Sequence, residues 1–237
     1  MFQYFDKIVR TTPYDDALMI LQHMKGMIGK KFSFLNYYKE IPVSYDATLL
    51  AIENEMSEFE VHEYQAKVVN LEKRALIYCP EKSPFSDDIL GEAFYINVNR
   101  KKVILCKFSY AKIRSDMRRF VRVVLDKPLE VELVIEGHPI EASVLDISLG
   151  GAALKVIDAE LLLPGLIVTP CLKLSDPGSG RVTEVELSAK VVRIVGDSAP
   201  FTCLLEFQPD KISQQQIAYF INQRQVEIIK ELKELGN

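Results

Sequence analysis

Hydrophobic and polar positions change their period twice along this chain. Leu18, Leu21, Lys25 and Ile28 fall at helical spacing. Thr12 stands ready to cap that segment, Pro13 sits where a first turn tolerates it, and Asp15 and Asp16 suit the positive end of a helix dipole. Gly29 supplies a stop, so the pattern predicts an N-terminal helix. The period then becomes two. Residues 32–38, 48–55, 58–63, 67–71, 75–78, 94–99 and 102–110 are rich in aromatic and β-branched residues and read as strands. The stretch Pro80–Asp88 is the longest turn-like break among them.

A second β-run follows a basic segment at 111–122. Leu129, Val131, Leu133 and Ile135 alternate with Glu130 and Glu132, which predicts a half-buried strand. Glu136–Gly137–His138 reads as a tight turn into 140–145. Gly150–Gly151 precedes a strand at 152–156, and further strands are expected over 167–174, 183–195 and 201–207. Short strands at regular spacing suggest barrels. The period changes again at the tail. Ser213 and Gln216 form a capping-box pattern ahead of Ile217, Phe220, Ile221, Arg224 and Ile228, predicting a long helix over 213–235. The expected fold is mainly β: two small β-barrel domains in tandem, at 1–110 and 111–237, with an N-terminal helix and a long C-terminal helix.

Composition narrows the class. The chain has 237 residues, of which 48% are hydrophobic and 26% charged, enough apolar material for two buried cores. No apolar stretch approaches the roughly 18 residues that cross a bilayer, and no signal-peptide pattern opens the chain; a cytoplasmic protein is expected. Cys79, Cys106, Cys171 and Cys203 are scattered, as are His23, His62 and His138, so no zinc-type spacing exists and neither metal nor cofactor is expected. The cysteines read as small buried residues.

Charge changes the picture more. The net charge is −4, yet 112–122 (KIRSDMRRFVR) carries five cations against Asp116 alone. That is +4 on eleven residues and −8 on the rest. A compact cationic patch on an acidic chain favours a small anion over a long polyanion, which the remaining surface repels.

Two features share that chemistry: Arg118-x-x-x-Arg122, just before the second β-run, and Asp146–Ile147–Ser148–Leu149–Gly150–Gly151, at a strand boundary. Arg114-x-x-x-Arg118 is an alternative register. An arginine fork matches the O6 and N7 acceptors of guanine or two phosphate oxygens, and its plane can stack on a purine. Asp146 accepts hydrogen bonds, as the N1–H and N2–H₂ donors of guanine require. Ser148 adds a donor and acceptor, while Gly150 and Gly151 permit close backbone approach or positive φ. Taken alone, Asp146 and Ser148 also suit ordinary turn chemistry, Gly150–Gly151 a bulge or hairpin, and Arg119 an acidic neighbour as well as a ligand.

On Arg118, Arg119, Phe120, Val121, Arg122, Val123 and Asp146-x-Ser148-x-x-Gly151, extended through Val191–Val192–Arg193, Phe220 and Arg224, the chain resembles the PilZ family of cyclic di-GMP receptors. The first domain is similar to the N-terminal barrel of flagellar-brake-type members, notably in Leu49–Leu50–Ala51–Ile52–Glu53. The resemblance implies a binding module and not an enzyme. It implies that Arg118, Arg119 and Arg122 hold guanine and phosphate groups, that Asp146 and Ser148 read guanine edges, and that Gly150 and Gly151 shape the turn. Met117 stands where relatives carry another arginine, so one nucleotide per chain is expected. The segment 111–122 would be a connector that wraps the ligand and reorients the barrels. Implied partners are cyclic di-GMP and a protein such as a flagellar motor component, with control of motility or surface behaviour as the output. Two other classes have distinct signatures: a single-strand-binding barrel would need an aromatic–basic face that this chain lacks, and a structural adaptor would pair its C-terminal helix as a homodimer.

Overall fold

Alternating burial along each strand builds both halves of the chain. The structure is a computed structural model describing residues 4–80, 83–113, 120–135, 138–176 and 178–235. It divides into one compact unit of Met1–Tyr38, Pro42–Arg118 and Glu231–Asn237, and a second of Lys39–Ile41 and Arg119–Lys230.

The first unit contains β1 (Phe5–Ile8), α1 (Pro13–Lys25), β2 (Lys31–Tyr38), β3 (Ile41–Glu53), β4 (Met56–Glu60), α2 (Glu63–Glu72), β5 (Arg74–Tyr78), β6 (Asp88–Asn97) and β7 (Lys102–Ile113). The order β7-β4-β3-β2-β5-β6 closes where β6 pairs with β7, making a six-stranded antiparallel barrel, and β1 adds to the free stretch of β7. A parity change makes β7 work. Val103 and Leu105 are buried, and so are Phe108 and Tyr110. Strict alternation would turn one pair outward. Lys107, at φ +48°, takes up the extra residue where the β6–β7 register slips, so both pairs face the core.

Thr12 caps α1 as expected: its Oγ1 accepts from the Asp15 amide at 3.1 Å. The buried stripe differs from the expected one. Asp16, Ile20, Leu21 and Met24 face inward, whereas Leu18 and Ile28 are exposed. The helix ends at Lys25 with Gly26 as its cap, and Gly29, at φ +84°, makes the turn into β2. Asp16 is buried, and the Arg10 charge adds to the hydrogen bonds that it accepts. Its carboxylate accepts the Arg10 amide at 2.9 Å, the Thr11 hydroxyl at 2.7 Å and the Thr11 amide at 3.1 Å. These bonds, the Arg10 amide foremost, hold its pKa below the ordinary carboxylate range against the opposing effect of burial. A lowered pKa gives stability that is complete above the unfolded value near ~3.9 and lost as pH falls. Asp16→Asn is therefore expected to melt below the wild type at pH 7. That difference should shrink as pH falls through the carboxylate range, in thermal denaturation followed by circular dichroism.

The segment 67–71 is not the strand its β-branched residues predict but part of α2. His62 caps it, its Nδ1 accepting from the Tyr64 amide at 3.3 Å, and Lys73 ends it in the left-handed region at φ +58°. Tertiary contacts decide the outcome: Ala66 and Val69 join the barrel core, while Val68 clusters with Val43 and Leu232. Among the described residues the first unit thus has two helices instead of one.

The second unit contains β8 (Arg122–Ile135), β9 (His138–Ser148), β10 (Gly151–Val156), β11 (Ile167–Ser175), β12 (Val182–Glu186), β13 (Ser188–Val195), β14 (Phe201–Gln208) and most of α3 (Lys211–Glu234). The order β11-β13-β14-β10-β9-β8 closes where β8 pairs with β11, a second six-stranded antiparallel barrel, with β12 attached to β11. The expected single run 183–195 is two strands broken at buried Leu187. Residues 136 and 137 of the expected hairpin turn lie outside the described residues, and Ile135 pairs with His138.

Along α3, Ile217, Phe220, Ile221 and Ile228 are buried as the stripe predicts. Its cap is Asp210, not Ser213: the Asp210 carboxylate accepts the Ser213 amide at 2.7 Å, so the helix starts at Lys211. Ser213 is buried, and its hydroxyl donates to the Glu186 carbonyl at 3.3 Å. Arg224 pairs with Asp126 and with Glu227. Asp126 lies where β8 bulges, between the pairs Val124↔Asp146 and Leu129↔Val144. No helix among the described residues is long and apolar enough to cross a membrane.

Candidate functional site

Strand β9 delivers Asp146 and Ser148 to the same face of the second barrel, because side chains two apart on a strand share a side. The β8–β9 register places Arg122 opposite Ser148 and Val124 opposite Asp146. Arg122 and Asp146 are thus diagonal cross-strand neighbours, and Arg122 Nε lies 3.3 Å from Asp146 Oδ1. Between them, Val123 and Ile147 point into the barrel and are fully buried. Asp146 therefore sits on the outward side, yet its side chain is only 5% exposed, against 33% for Arg122. The pair is an acceptor set deep beside a cation that meets solvent.

The turn after Ser148 is closed by its own side chain, as its Oγ donates to the Gly151 carbonyl at 3.2 Å. That is the turn chemistry open to serine, and the hydroxyl oxygen keeps acceptor capacity. Neither Gly150 nor Gly151 has positive φ. Their small size has other uses here. A Cβ on Gly151 would stand 2.1 Å from the Leu205 carbonyl oxygen of β14. A Cβ on Gly150 would stand 2.7 Å from Cδ2 of the Phe120 ring. The Gly150 carbonyl accepts the Phe207 amide at 3.0 Å, so this turn is held on β14.

Of the expected site residues, the structure brings together Arg122, Asp146, Ser148, Gly150 and Gly151. Arg118 and Arg119 lie outside the described residues, as do Arg114 and Met117. The expected connector 111–122 is shorter than its charge pattern suggests, since Ala111–Ile113 belong to β7 and Arg122 opens β8. Phe120 carries a contact that the sequence reading did not assign. Its signal is an aromatic residue set among the arginines of RRFVR.

Among the described residues no group of histidine, cysteine and carboxylate could hold a metal. The Cys79 thiol is pushed up to about 12, chiefly by burial with Asp88 adding to it, and burial lifts Cys203 to about 11. Both are packing residues with little thiolate near neutral pH. The Arg122–Asp146 pair sets a guanidinium fork, which can meet paired acceptors, beside a carboxylate, which can meet paired donors, within one diagonal of a sheet.

Residues 116–223 match the family model of the PilZ domain. No curated protein matches the chain. Among solved structures, the Bacillus subtilis inhibitor of motility MotI/DgrA is similar at 17% identity over 84% of this chain and 97% of that one, with a TM-score of 0.43. YcgR from Escherichia coli, in complex with c-di-GMP, is similar at 12% identity over 98% and 97%, with a TM-score of 0.42. The K. pneumonia MrkH–c-di-GMP complex is similar at 14% identity over 95% and 100%, with a TM-score of 0.44.

Proposed function

We propose, from the premise that residues 116–223 form a PilZ domain, that this chain is a non-enzymatic effector that binds cyclic di-GMP. The observation that carries the reading is the Arg122–Asp146 pair, cation outward and carboxylate beneath, in the segment that the family model covers. In this reading Arg118, Arg119 and Arg122 hold phosphate and guanine acceptors. Asp146 takes guanine N1–H and N2–H₂, Ser148 adds a polar contact, and Gly150–Gly151 keep the turn low. The five cations of 112–122 repel one another until the dianion neutralises them. Closing around the ligand, that connector would reorient the two barrels and alter the surface shown to a protein partner in the cytoplasm. Control of flagellar motility or surface behaviour is the proposed output.

The test is titration calorimetry with cyclic di-GMP on the wild type and on Arg118→Ala, joined to small-angle scattering. Saturable binding that weakens at least about tenfold in the variant is expected, since a hydrogen bond to a charged group contributes about 1.5–3 kcal/mol. Equal affinities would defeat the residue assignment. Identical scattering with and without saturating ligand would defeat the reorientation while leaving binding intact.

A further inference from the structure

Phe120 follows Arg119 directly and stands two residues before Arg122. Its surroundings are unlike those of a core aromatic, for it is 37% exposed. Its ring nonetheless lies so close over Gly150 that a Cβ there would meet Cδ2 at 2.7 Å and Cε2 at 3.1 Å. The two sides of this contact are unequal. Gly150 sits in a turn pinned from behind, through the Phe207 amide on its carbonyl and the tight approach of Gly151 to Leu205. The ring belongs to the chain just before β8 begins. A fixed floor and an aromatic group resting on it define where that chain crosses the turn.

Resting on the binding reading above, we infer that Phe120 is a positioning residue: its ring, seated on Gly150, sets the start of β8 and so the place from which Arg122 meets the ligand. Gly150 then matters because it leaves room for the ring, not because a nucleotide touches it. The physical reason is that a ring pressed on a hydrogen-bonded turn has few alternative placements, whereas a bare backbone there would have many. Gly150 and Phe120 are thus one device, separate from the groups that contact ligand.

A double-mutant cycle decides it. Gly150→Ala, Phe120→Ala and the double variant are titrated with cyclic di-GMP, and their melting temperatures are measured alongside. Each single change is expected to weaken binding about tenfold, and the double variant no more than Phe120→Ala alone, because the added methyl then has no ring to displace. Melting of Gly150→Ala should stay close to wild type, because the added methyl meets a part-exposed side chain and not backbone. Losses that multiply in the double variant would mean that Gly150 touches ligand itself and would overturn the inference, as would wild-type affinity in Phe120→Ala. A second measurement needs no ligand: amide hydrogen exchange at Val121–Val123 should be faster in both single variants than in wild type. Unchanged exchange overturns the positioning role. A wild type that takes up no cyclic di-GMP overturns the binding reading instead, and the exchange data then decide by themselves whether the ring holds the start of β8.

Discussion

Arg122→Ala is expected to weaken cyclic di-GMP binding by about 100-fold or more, and Arg122→Lys by at least about tenfold. Two charge-assisted hydrogen bonds, each contributing about 1.5–3 kcal/mol, are lost with the fork. Lysine keeps the charge but offers a rotating ammonium where planar, paired donors are needed. The same alanine change is expected to destabilise the second barrel by about 2 kcal/mol, below the range for fully buried pairs because the Arg122 side chain is one-third exposed. Removing it takes a cation from a carboxylate that has almost no contact with solvent. Titration calorimetry and thermal denaturation on the same preparations separate the two effects. Wild-type affinity in Arg122→Lys would show that charge alone is read at this position.

Gly151→Ala is expected to be the most destabilising single change in the turn, by about 3 kcal/mol. That corresponds to a fall in melting temperature of about 6–12 °C for a chain of this size. Its new Cβ would stand 2.1 Å from the Leu205 carbonyl oxygen, a backbone atom of the paired strand β14. A ladder cannot swing aside as a side chain can. Gly150→Ala, directly before it in sequence, meets only the Phe120 ring, so it should leave melting within about 1 kcal/mol of wild type. The contrast between adjacent glycines is the informative result. Equal melting of the two variants would contradict the close approach of β10 to β14.

Much of this was legible in the sequence because each barrel buries one face of each strand, and alternation records that directly. Leu129, Val131, Leu133 and Ile135 are all buried, as their spacing says. Arg122 and Asp146 stand in two motifs that the sequence presents apart, and chain order alone does not pair them, because the bulge between Val124 and Leu129 resets the register of β8 against β9. Where the reading failed, contacts distant in sequence decided. Val68 and Val69 favour a strand in isolation, yet they belong to a helix with apolar neighbours on two sides. The four residues of β1 are defined mostly by their pairing with the far end of β7. The α3 cap went to Asp210 because Ser213 is buried and hydrogen-bonded to the Glu186 carbonyl. The seat of Phe120 on Gly150 joins two motifs that the sequence presents separately, and only the folded geometry shows that one glycine serves a ring and the next a backbone.

The central claim is that this site reads guanine on a dianionic dinucleotide. It is tested most directly by calorimetric titration of the full chain with cyclic di-GMP beside cyclic di-AMP, which carries the same phosphates and lacks the O6, N1–H and N2–H₂ pattern. Saturable binding of the guanine dinucleotide, with affinity for the adenine one lower by at least about 100-fold, is the expected result, because leaving the carboxylate and the fork unmatched forfeits more than one charged hydrogen bond. Equal affinities, or no heat with either, would contradict it.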